Sequence, residues 1–376
     1  MGNVVDESFE ENLVPVEIDF ITVNNTRTPK TGGDYVYSVM KDELEKEGYR
    51  IHELSVPMLI EYLQYARLSK RVAPPLSLSE VVAYFLCYFG SLQKRIFGSH
   101  MMITSCSPTF PVFGDMTYHQ PKGGVHTRFA KESDTLRRMI GYRIPENKVL
   151  SASWFFAKKL MKLHLSNSKF TKELVKGQYE IDSTVLYPPV PIQKYFRVTA
   201  NEGRKPWVLV TKPEATTGIS LLPEIVRNVS RKIKFVIIGD PDYSGILAME
   251  RLKSMGANFE HLGFVEEKQK IEMFQKCSVY LNLAVNETFG ISVVEALAAG
   301  CVPIAHNSGA IPEFLPEEFR YSDPKMAAEK VMVNIACENT TRKKMRTIAA
   351  RFDEQCFRKK FMYFVKQLEV SRANSC

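Results

Sequence analysis

The chain has 376 residues, of which 45% are hydrophobic and 24% are charged, and its formal net charge is +8. This composition excludes a disordered chain, and the length exceeds one ordinary domain, so we expect two domains with separate cores. A positive charge of this size is compatible with nucleic acid, an anionic membrane surface or phosphorylated substrates, and it does not choose among them.

The cysteines and the N-terminal residues indicate the compartment. The seven cysteines are scattered, without a C-x2-C pair and in an odd number. This pattern disfavours a disulfide framework and a zinc site and predicts a reducing compartment. The start lacks the regions of a signal peptide, and Asp6 stands where a myristoylation motif that begins at Gly2 needs Ser or Thr. We therefore expect neither export nor this lipid anchor.

The first half of the chain opens with a predicted strand at residues 16–24, and a helical pattern runs from residue 35 to 47. Between them, Gly32 and Gly33 follow Thr31. A double glycine after the first strand of an α/β domain lets the backbone approach a ligand closely, although many such pairs are ordinary turns.

Two regions of the first half could contact a membrane. Residues 59–72 and 79–96 are predicted helices, and the second is apolar nearly all round before Lys94 and Arg95. It is too short for a membrane span, so it is either a buried core helix or a segment that lies on a bilayer. Residues 122–143 are basic with few aromatics, which fits lipid phosphates or a solvated surface better than single-stranded nucleic acid.

A histidine closes the predicted strand that precedes residue 121. His119 would stand at the carboxyl edge of the sheet, where ligands bind in such folds, although a lone histidine is more often structural. Farther on, Ser168 or Thr171 can cap a helix, and Pro188 and Pro189 prevent further regular structure.

The second half begins after a polar linker at residues 201–206. A strand is predicted at 207–211, followed by a loop that contains Lys212 and Thr217 and by a helix from Ile219. Another strand leads from residue 234 into Asp240-Pro241-Asp242. Residues 262–267 form a further loop, and residues 345–368 have helical periodicity.

The stretch from residue 286 to 300 carries the chemistry. The apolar run at 279–285 predicts a strand, Phe289-Gly290 a turn, and the alanine-rich run at 291–299 a helix. The first amides of such a helix are free to bind an anion. Glu295 lies about a turn along the helix, where it can receive hydroxyls, and Glu287 lies before the turn. A ligand with a diphosphate and sugar hydroxyls would satisfy every part.

This stretch resembles the E-x7-E motif of the family 4 retaining glycosyltransferases. The likeness continues through residues 301–313, and the N-S-x-x-T helix start at Asn167 and the Tyr-Pro-Pro from Tyr187 resemble mannosyltransferases that extend lipid-linked oligosaccharides. The resemblance implies an α/β, GT-B fold with two Rossmann-like domains facing across a cleft. Residues 1–200 would bind the acceptor, residues 205–354 would bind the nucleotide sugar, and a C-terminal helix at 355–376 would return to the first domain.

The resemblance also implies roles for individual residues. Glu287 and His119 would serve catalysis, Glu287 by holding the sugar or the developing oxocarbenium and His119 by contacting the donor sugar. The family has an arginine and a lysine on the diphosphate where this chain has Lys212 and Thr217, which leaves one cation. The implied donor-binding residues are Gly32, Gly33, Lys212, Thr217, Val265, Thr288, Phe289, Gly290, Ile291, Ser292 and Glu295. No metal is implied, including at Asp240-Pro241-Asp242.

The implied function is a retaining hexosyltransferase in glycan biosynthesis. It would move a sugar, with mannose from GDP-mannose as the first candidate, to a hydroxyl of a glycan or lipid-linked acceptor, without a cofactor and without nucleic acid. We expect a cytoplasmic protein with possible peripheral contact at the cytoplasmic face of an anionic membrane. The reduced cationic pair keeps a non-catalytic homologue that binds a nucleotide sugar or glycan as the alternative, and a nucleotide-sugar epimerase as a weaker one.

Overall fold

Two parallel six-stranded sheets flanked by helices make up the computed structural model, which describes residues 16–22, 32–55, 90–94, 96–106, 114–120, 161–196 and 204–374. The predicted helix at 59–72, most of the one at 79–96 and the basic run at 122–143 lie outside these residues. Among the helices that the structure describes, none combines the length and the apolar character needed to cross a membrane.

The first sheet has the strand order β2-β1-β3-β4-β5-β6, with each neighbouring pair parallel. The carboxyl ends of its strands therefore share one edge. Its elements are β1 (Glu17–Thr22), α1 (Gly32–Lys46), β2 (Arg50–Ser55), β3 (Met101–Cys106), β4 (Met116–His119), β5 (Leu163–Ser166), α2 (Lys169–Tyr179), β6 (Thr184–Val185) and α3 (Ile192–Phe196).

The second sheet has the order β12-β11-β10-β7-β8-β9, again with parallel neighbours. Short 3-10 helices at Ala215–Thr217, Ile219–Leu221, Ile311–Glu313, Glu317–Phe319 and Ala350–Phe352 join some of its elements. These elements are β7 (Lys205–Thr211), α4 (Leu222–Arg227), β8 (Lys234–Ile238), α5 (Tyr243–Ser254), β9 (Phe259–His261), α6 (Glu267–Lys276), β10 (Cys277–Asn282), α7 (Ile291–Ala299), β11 (Val302–His306), β12 (Arg320–Tyr321), α8 (Pro324–Asn334), α9 (Asn339–Ala349) and α10 (Glu354–Ala373).

The last helix packs on the first sheet. Phe357, Phe361 and Val365 of α10 are buried in the same apolar cluster as strand residues of that sheet. Arg358, itself buried, pairs with Glu43 of α1 at 2.7 Å. The predicted α/β fold of two sheets, with a C-terminal helix returning to the first, is confirmed.

Helix α1 and strand β7 begin two or three residues before their predicted starts, and three other predicted elements have different bounds for visible reasons. The strand predicted at 279–285 ends at Asn282, because the Asn282 side chain accepts a hydrogen bond from the Ala284 amide at 2.8 Å and turns the chain. The helix predicted from Ile219 begins as a 3-10 turn. The helical run at 345–368 is divided at residues 350–353, where the Phe352 carbonyl accepts a hydrogen bond from the Val190 amide and Asp353 caps α10.

Candidate active site

Two helix N-termini face each other where the two sheets meet. Helix α1 begins at Gly32, and α7 begins at Ile291. A Cβ atom added to Gly32 would lie 2.6 Å from Cδ1 of Ile291, so a side chain at this position would force the Ile291 side chain of the opposite helix to move. The amide-rich, electropositive ends of both helices therefore lie close together. Gly33, in the first turn of α1, lies at the same end.

The start of α7 depends on a glycine. Gly290 has a φ of +94°, a conformation that glycine adopts at little cost, and no side chain in the described part of the chain caps this helix. Without a side-chain cap, the first amides of α7 are available to an anionic ligand. Predicted site residues Ile291 and Ser292 contribute these amides.

Glu287 is held beside this helix start by its backbone and by its carboxylate. The Glu287 carbonyl accepts a hydrogen bond from the Ala310 amide at 2.8 Å, and a Cβ on Gly309 would lie 2.2 Å from that carbonyl oxygen. The carboxylate accepts hydrogen bonds from the amides of Thr288 and Phe289. Burial raises the pKa of Glu287, and the nearby Lys212 cation and the two amides oppose this rise.

Lys212 and Thr217 share one loop but have different surroundings. Lys212 is exposed, and it lies near enough to Glu287 to act on its pKa. The Thr217 hydroxyl lies 2.9 Å from the Glu214 carbonyl oxygen and 2.5 Å from the Lys212 carbonyl oxygen. It therefore stabilises the loop that presents Lys212, and its predicted contact with the donor stays a prediction.

Glu295 forms a buried ion pair that the sequence did not indicate. Its carboxylate is 5% exposed, and one oxygen accepts a hydrogen bond from Nζ of Lys270 at 2.6 Å. Burial raises the pKa of Tyr195, and the Glu295 carboxylate raises it further. The Tyr195 hydroxyl therefore also lies close to this carboxylate. Lys270 belongs to α6, which follows the loop that contains the predicted residue Val265. Lys270 and Glu295 are far apart in the sequence, and no spacing rule links them.

His119 lies at the end of β4 against a second histidine. His119 Nε2 is 3.0 Å from Nδ1 of His164 on β5, and both imidazoles are buried. Burial, reinforced by His164, lowers the pKa of His119 to about 3, and burial lowers the pKa of His164 to about 4. Both rings are therefore neutral near pH 7. Along each strand of a parallel sheet, every second side chain points to the same face. This alternation was the signal that could have identified His164 as a neighbour of His119.

Phe289 and Thr288 are buried residues of the site. The Phe289 ring packs 5.2 Å from Phe352 and 5.6 Å from Phe314, measured between ring centroids. Its side chain therefore belongs to an aromatic cluster, and only its backbone can contact a ligand. Thr288 is 6% exposed.

The Asp-Pro-Asp turn has a structural role. Asp242 caps α5 by accepting a hydrogen bond from the Gly245 amide at 2.9 Å, and it also accepts one from the Ala215 amide at 2.8 Å. This residue thus ties α5 to the loop of Lys212 and Thr217.

Glu313 connects the two halves of the chain and was not singled out by the sequence. Its carboxylate accepts hydrogen bonds from the amides of Lys169 and Phe170 at 3.0 and 2.8 Å, and from the Tyr187 hydroxyl at 2.8 Å. These partners belong to the first half of the chain. The same helix start is capped by Ser168, as predicted, through the Thr171 amide at 2.9 Å.

Residues 195–351 match the family described as glycosyl transferases group 1. The match contains Lys212, Glu287 and Glu295 together with the whole of α7. This part of the chain is a group 1 glycosyltransferase domain.

Two curated relatives of this chain are named GDP-Man:Man(3)GlcNAc(2)-PP-Dol alpha-1,2-mannosyltransferase. The one from Dictyostelium discoideum is 24% identical over 62% of this chain and 52% of its own length. The one from Mus musculus is 28% identical over 54% of this chain and 48% of its own length. The chain spans about half the length of these curated relatives.

Solved structures of glycosyltransferases share the fold. A glycosyltransferase from Rickettsia africae ESF-5 has a TM-score of 0.66 at 13% identity, and the match covers 94% of this chain and 99% of that chain. A sucrose-phosphate synthase from Thermosynechococcus elongatus has a TM-score of 0.67 at 12% identity, with 95% of this chain and 100% of that chain covered. At such identities the likeness establishes the fold, which is GT-B.

Proposed function

We propose that this protein is a retaining hexosyltransferase that moves mannose from GDP-mannose to a hydroxyl of a lipid-linked glycan. The observation that carries the proposal is the position of Glu287. Its carboxylate stands beside the open N-terminus of α7 and within the electrostatic reach of Lys212. A negative group for the sugar and positive groups for a phosphate thus lie next to each other.

In the proposed reaction, the bond between the sugar and the diphosphate breaks, the acceptor hydroxyl oxygen bonds to the anomeric carbon, and the hydroxyl proton passes to the departing diphosphate. Negative charge therefore grows on the diphosphate and positive charge on the sugar ring during the transfer. The first amides of α7 and the Lys212 cation would stabilise the diphosphate, because fixed dipoles and charges that point at developing charge lower a barrier most effectively. The Glu287 carboxylate would stabilise the sugar ring. No step in this scheme requires a metal ion or a cofactor.

The second carboxylate would hold the nucleotide. Glu295 is buried, and one of its carboxylate oxygens lies 2.6 Å from Nζ of Lys270. This ion pair fixes the direction of the carboxylate. Ribose hydroxyls would donate to this group, and the loop of Val265 would lie near the base. His119 would accept from or donate to a sugar hydroxyl as a neutral imidazole.

The sugar, the acceptor and the cellular location are inferred from the relatives. The names of these relatives contain GDP-Man as donor and a PP-Dol glycan as acceptor. A lipid-linked acceptor would place the protein at the cytoplasmic face of a membrane, in peripheral contact with anionic lipid.

One observation favours a second candidate, a homologue that binds a nucleotide sugar without transferring it. The hydroxyl of Thr217 contacts its own loop, at the position where the resembling family has a phosphate-binding lysine. A reduced cationic pair would weaken stabilisation of the leaving group.

A donor panel separates these candidates. GDP-mannose, UDP-glucose and UDP-N-acetylglucosamine would each be added to the protein, and the melting temperature and the release of free nucleoside diphosphate would be measured with and without a synthetic lipid-linked glycan. We expect GDP-mannose to raise the melting temperature, because a ligand of the folded state stabilises it, and to release GDP when the acceptor is present. A thermal shift without release would identify a binding homologue. No shift with any nucleotide sugar would contradict the site.

A further inference from the structure

A cluster of metal-binding side chains lies at the opposite edge of the first sheet, at the amino end of β1. Glu17 is the first residue of β1, His52 lies on β2, and His100 immediately precedes β3. The register pairs Asp19 with His52 and Ile18 with Met101, so three neighbouring strands bring these residues together. The candidate active site lies at the carboxyl ends of the strands, at the other edge.

The two imidazoles converge on one carboxylate oxygen. Nε2 of His52 lies 3.1 Å and Nε2 of His100 lies 2.8 Å from Oε2 of Glu17. One ligand atom from each residue lies within 4.8 Å of the other two. The histidine rings are stacked, with centroids 5.2 Å apart and 15° between their planes. Ligand atoms around a tetrahedral zinc ion stand about 3.3 Å apart, given metal–nitrogen distances of roughly 2.0–2.1 Å.

A second carboxylate lies near one of these histidines. Asp19 is buried, and its Oδ2 lies 3.5 Å from Nδ1 of His100, while its other oxygen pairs with Lys94. Histidine ligands of metals usually direct their second ring nitrogen at a carboxylate or carbonyl group, which fixes the tautomer that leaves the first nitrogen free to bind. Asp19 stands where such a group is needed for His100.

The Arg50 cation lies next to only one of the two carboxylate oxygens of Glu17, so the other oxygen is available to a metal ion. Nη1 of Arg50 lies 3.3 Å from Oε1, whereas both histidines approach Oε2. All three ligand side chains are partly open to solvent, with exposed fractions of 29% for Glu17, 44% for His52 and 33% for His100. An ion can therefore enter from solvent, and water can complete its coordination.

We propose that Glu17, His52 and His100 form a zinc-binding site. Two histidines and one glutamate with an open fourth position form a known donor set for zinc. The bound ion would join the amino ends of β1, β2 and β3 and so stabilise the first sheet. This site is independent of the proposed sugar transfer.

The test uses the untagged 376-residue chain after dialysis against a chelator. Zinc binding would be measured by calorimetry, and cobalt would be added as a spectroscopic substitute that absorbs visible light when its coordination is tetrahedral. We expect saturable zinc binding and a higher melting temperature with zinc. His52→Ala and His100→Ala would each lose both effects. His261→Ala, which removes a histidine bonded to the Gly239 carbonyl in the second domain, is the matched control and would keep them.

A gain-of-binding variant keeps the test decisive if an alanine variant folds poorly. Arg50→Met removes the cation that competes for Glu17 and is expected to tighten zinc binding several-fold. The absence of saturable zinc binding to the wild type would overturn the proposal. Binding that survives both His52→Ala and His100→Ala would also overturn it, because the zinc would then be held elsewhere.

Discussion

The first sheet ends in a pair of buried imidazoles, whereas the second ends in carboxylates that have lysine neighbours. His119 and His164 lie 3.0 Å apart, and burial keeps both uncharged near pH 7. Glu287 lies within the electrostatic reach of Lys212, and Glu295 is paired with Lys270. The two halves thus place chemically different groups near the carboxyl ends of their sheets. In the proposed reaction, the second half supplies fixed charge for a nucleotide diphosphate, and the first supplies neutral hydrogen-bonding groups.

The largest effect is expected at Glu287. The Glu287→Gln change keeps the shape of the side chain and removes the negative charge next to the sugar, so transfer at saturating donor should fall about 10²- to 10³-fold, the usual effect of losing one group that stabilises a transition state. The affinity for donor should change little. Rapid-quench kinetics and a calorimetric titration measure the two quantities. Glu317→Gln, at an exposed carboxylate of the same domain, is the control.

Glu295 should show the opposite division between binding and rate. We expect Glu295→Gln to weaken donor binding about tenfold to a hundredfold, because hydrogen bonds to a charged group contribute roughly 1.5–3 kcal/mol. The rate at saturating donor should be nearly unchanged. If Lys270 acts by holding the carboxylate, Lys270→Met should weaken binding in the wild type and have little effect in Glu295→Gln. Independent, additive effects would contradict the ion pair.

The histidine pair should appear in the pH dependence of stability. The folded pKa values are about 3 for His119 and about 4 for His164, below an unfolded value of about 6.5, so the unfolded state binds more protons between these limits. Stability should therefore be fully present above pH 6.5 and decline as the pH falls toward 4, by up to about 1.4 kcal/mol per pH unit for each histidine. Denaturant titrations at several pH values measure the free energy of unfolding of the wild type and of the double variant His119→Asn/His164→Asn. The slope of this free energy against pH should be shallower for the variant. Equal slopes would mean that neither imidazole is held neutral.

The smallest effect is expected at Lys212. Its side chain is exposed, so its charge acts through solvent, and Lys212→Ala should weaken binding of a nucleoside diphosphate by roughly fivefold or less. The difference from the wild type should shrink as salt is added, because salt screens exposed charges. A calorimetric titration at two ionic strengths measures this. A loss that does not depend on salt would indicate that Lys212 supports the loop rather than the ligand.

The sequence predicted the helix that carries the E-x7-E stretch. The bounds of α7, from Ile291 to Ala299, agree with the prediction, because an alanine-rich run preceded by glycine leaves few alternatives. The fold class was also predicted, since parallel sheets with helices follow from the alternation of strands and helices. The strand before the site ends three residues earlier than predicted, because the Asn282 side chain turns the chain.

The contacts that hold the site together could not be predicted from the sequence. Lys270 reaches Glu295 from another helix, and Glu313 accepts hydrogen bonds from the amides of Lys169 and Phe170 in the other half of the chain. Propensity and periodicity describe local structure, whereas these pairs depend on how two packed domains approach each other. The division of the C-terminal run at Phe352 has the same origin, since its carbonyl is bonded to Val190.

The stereochemistry of the transferred sugar tests the central claim most directly. The wild type would be incubated with GDP-mannose and a lipid-linked glycan, and the anomeric carbon–hydrogen coupling of the new linkage would be measured by NMR together with the amount of GDP released. We predict an α-linked mannose, one GDP for each sugar transferred, and almost no product with Glu287→Gln. A β-linked product, or bound donor without any product, would contradict a retaining transferase.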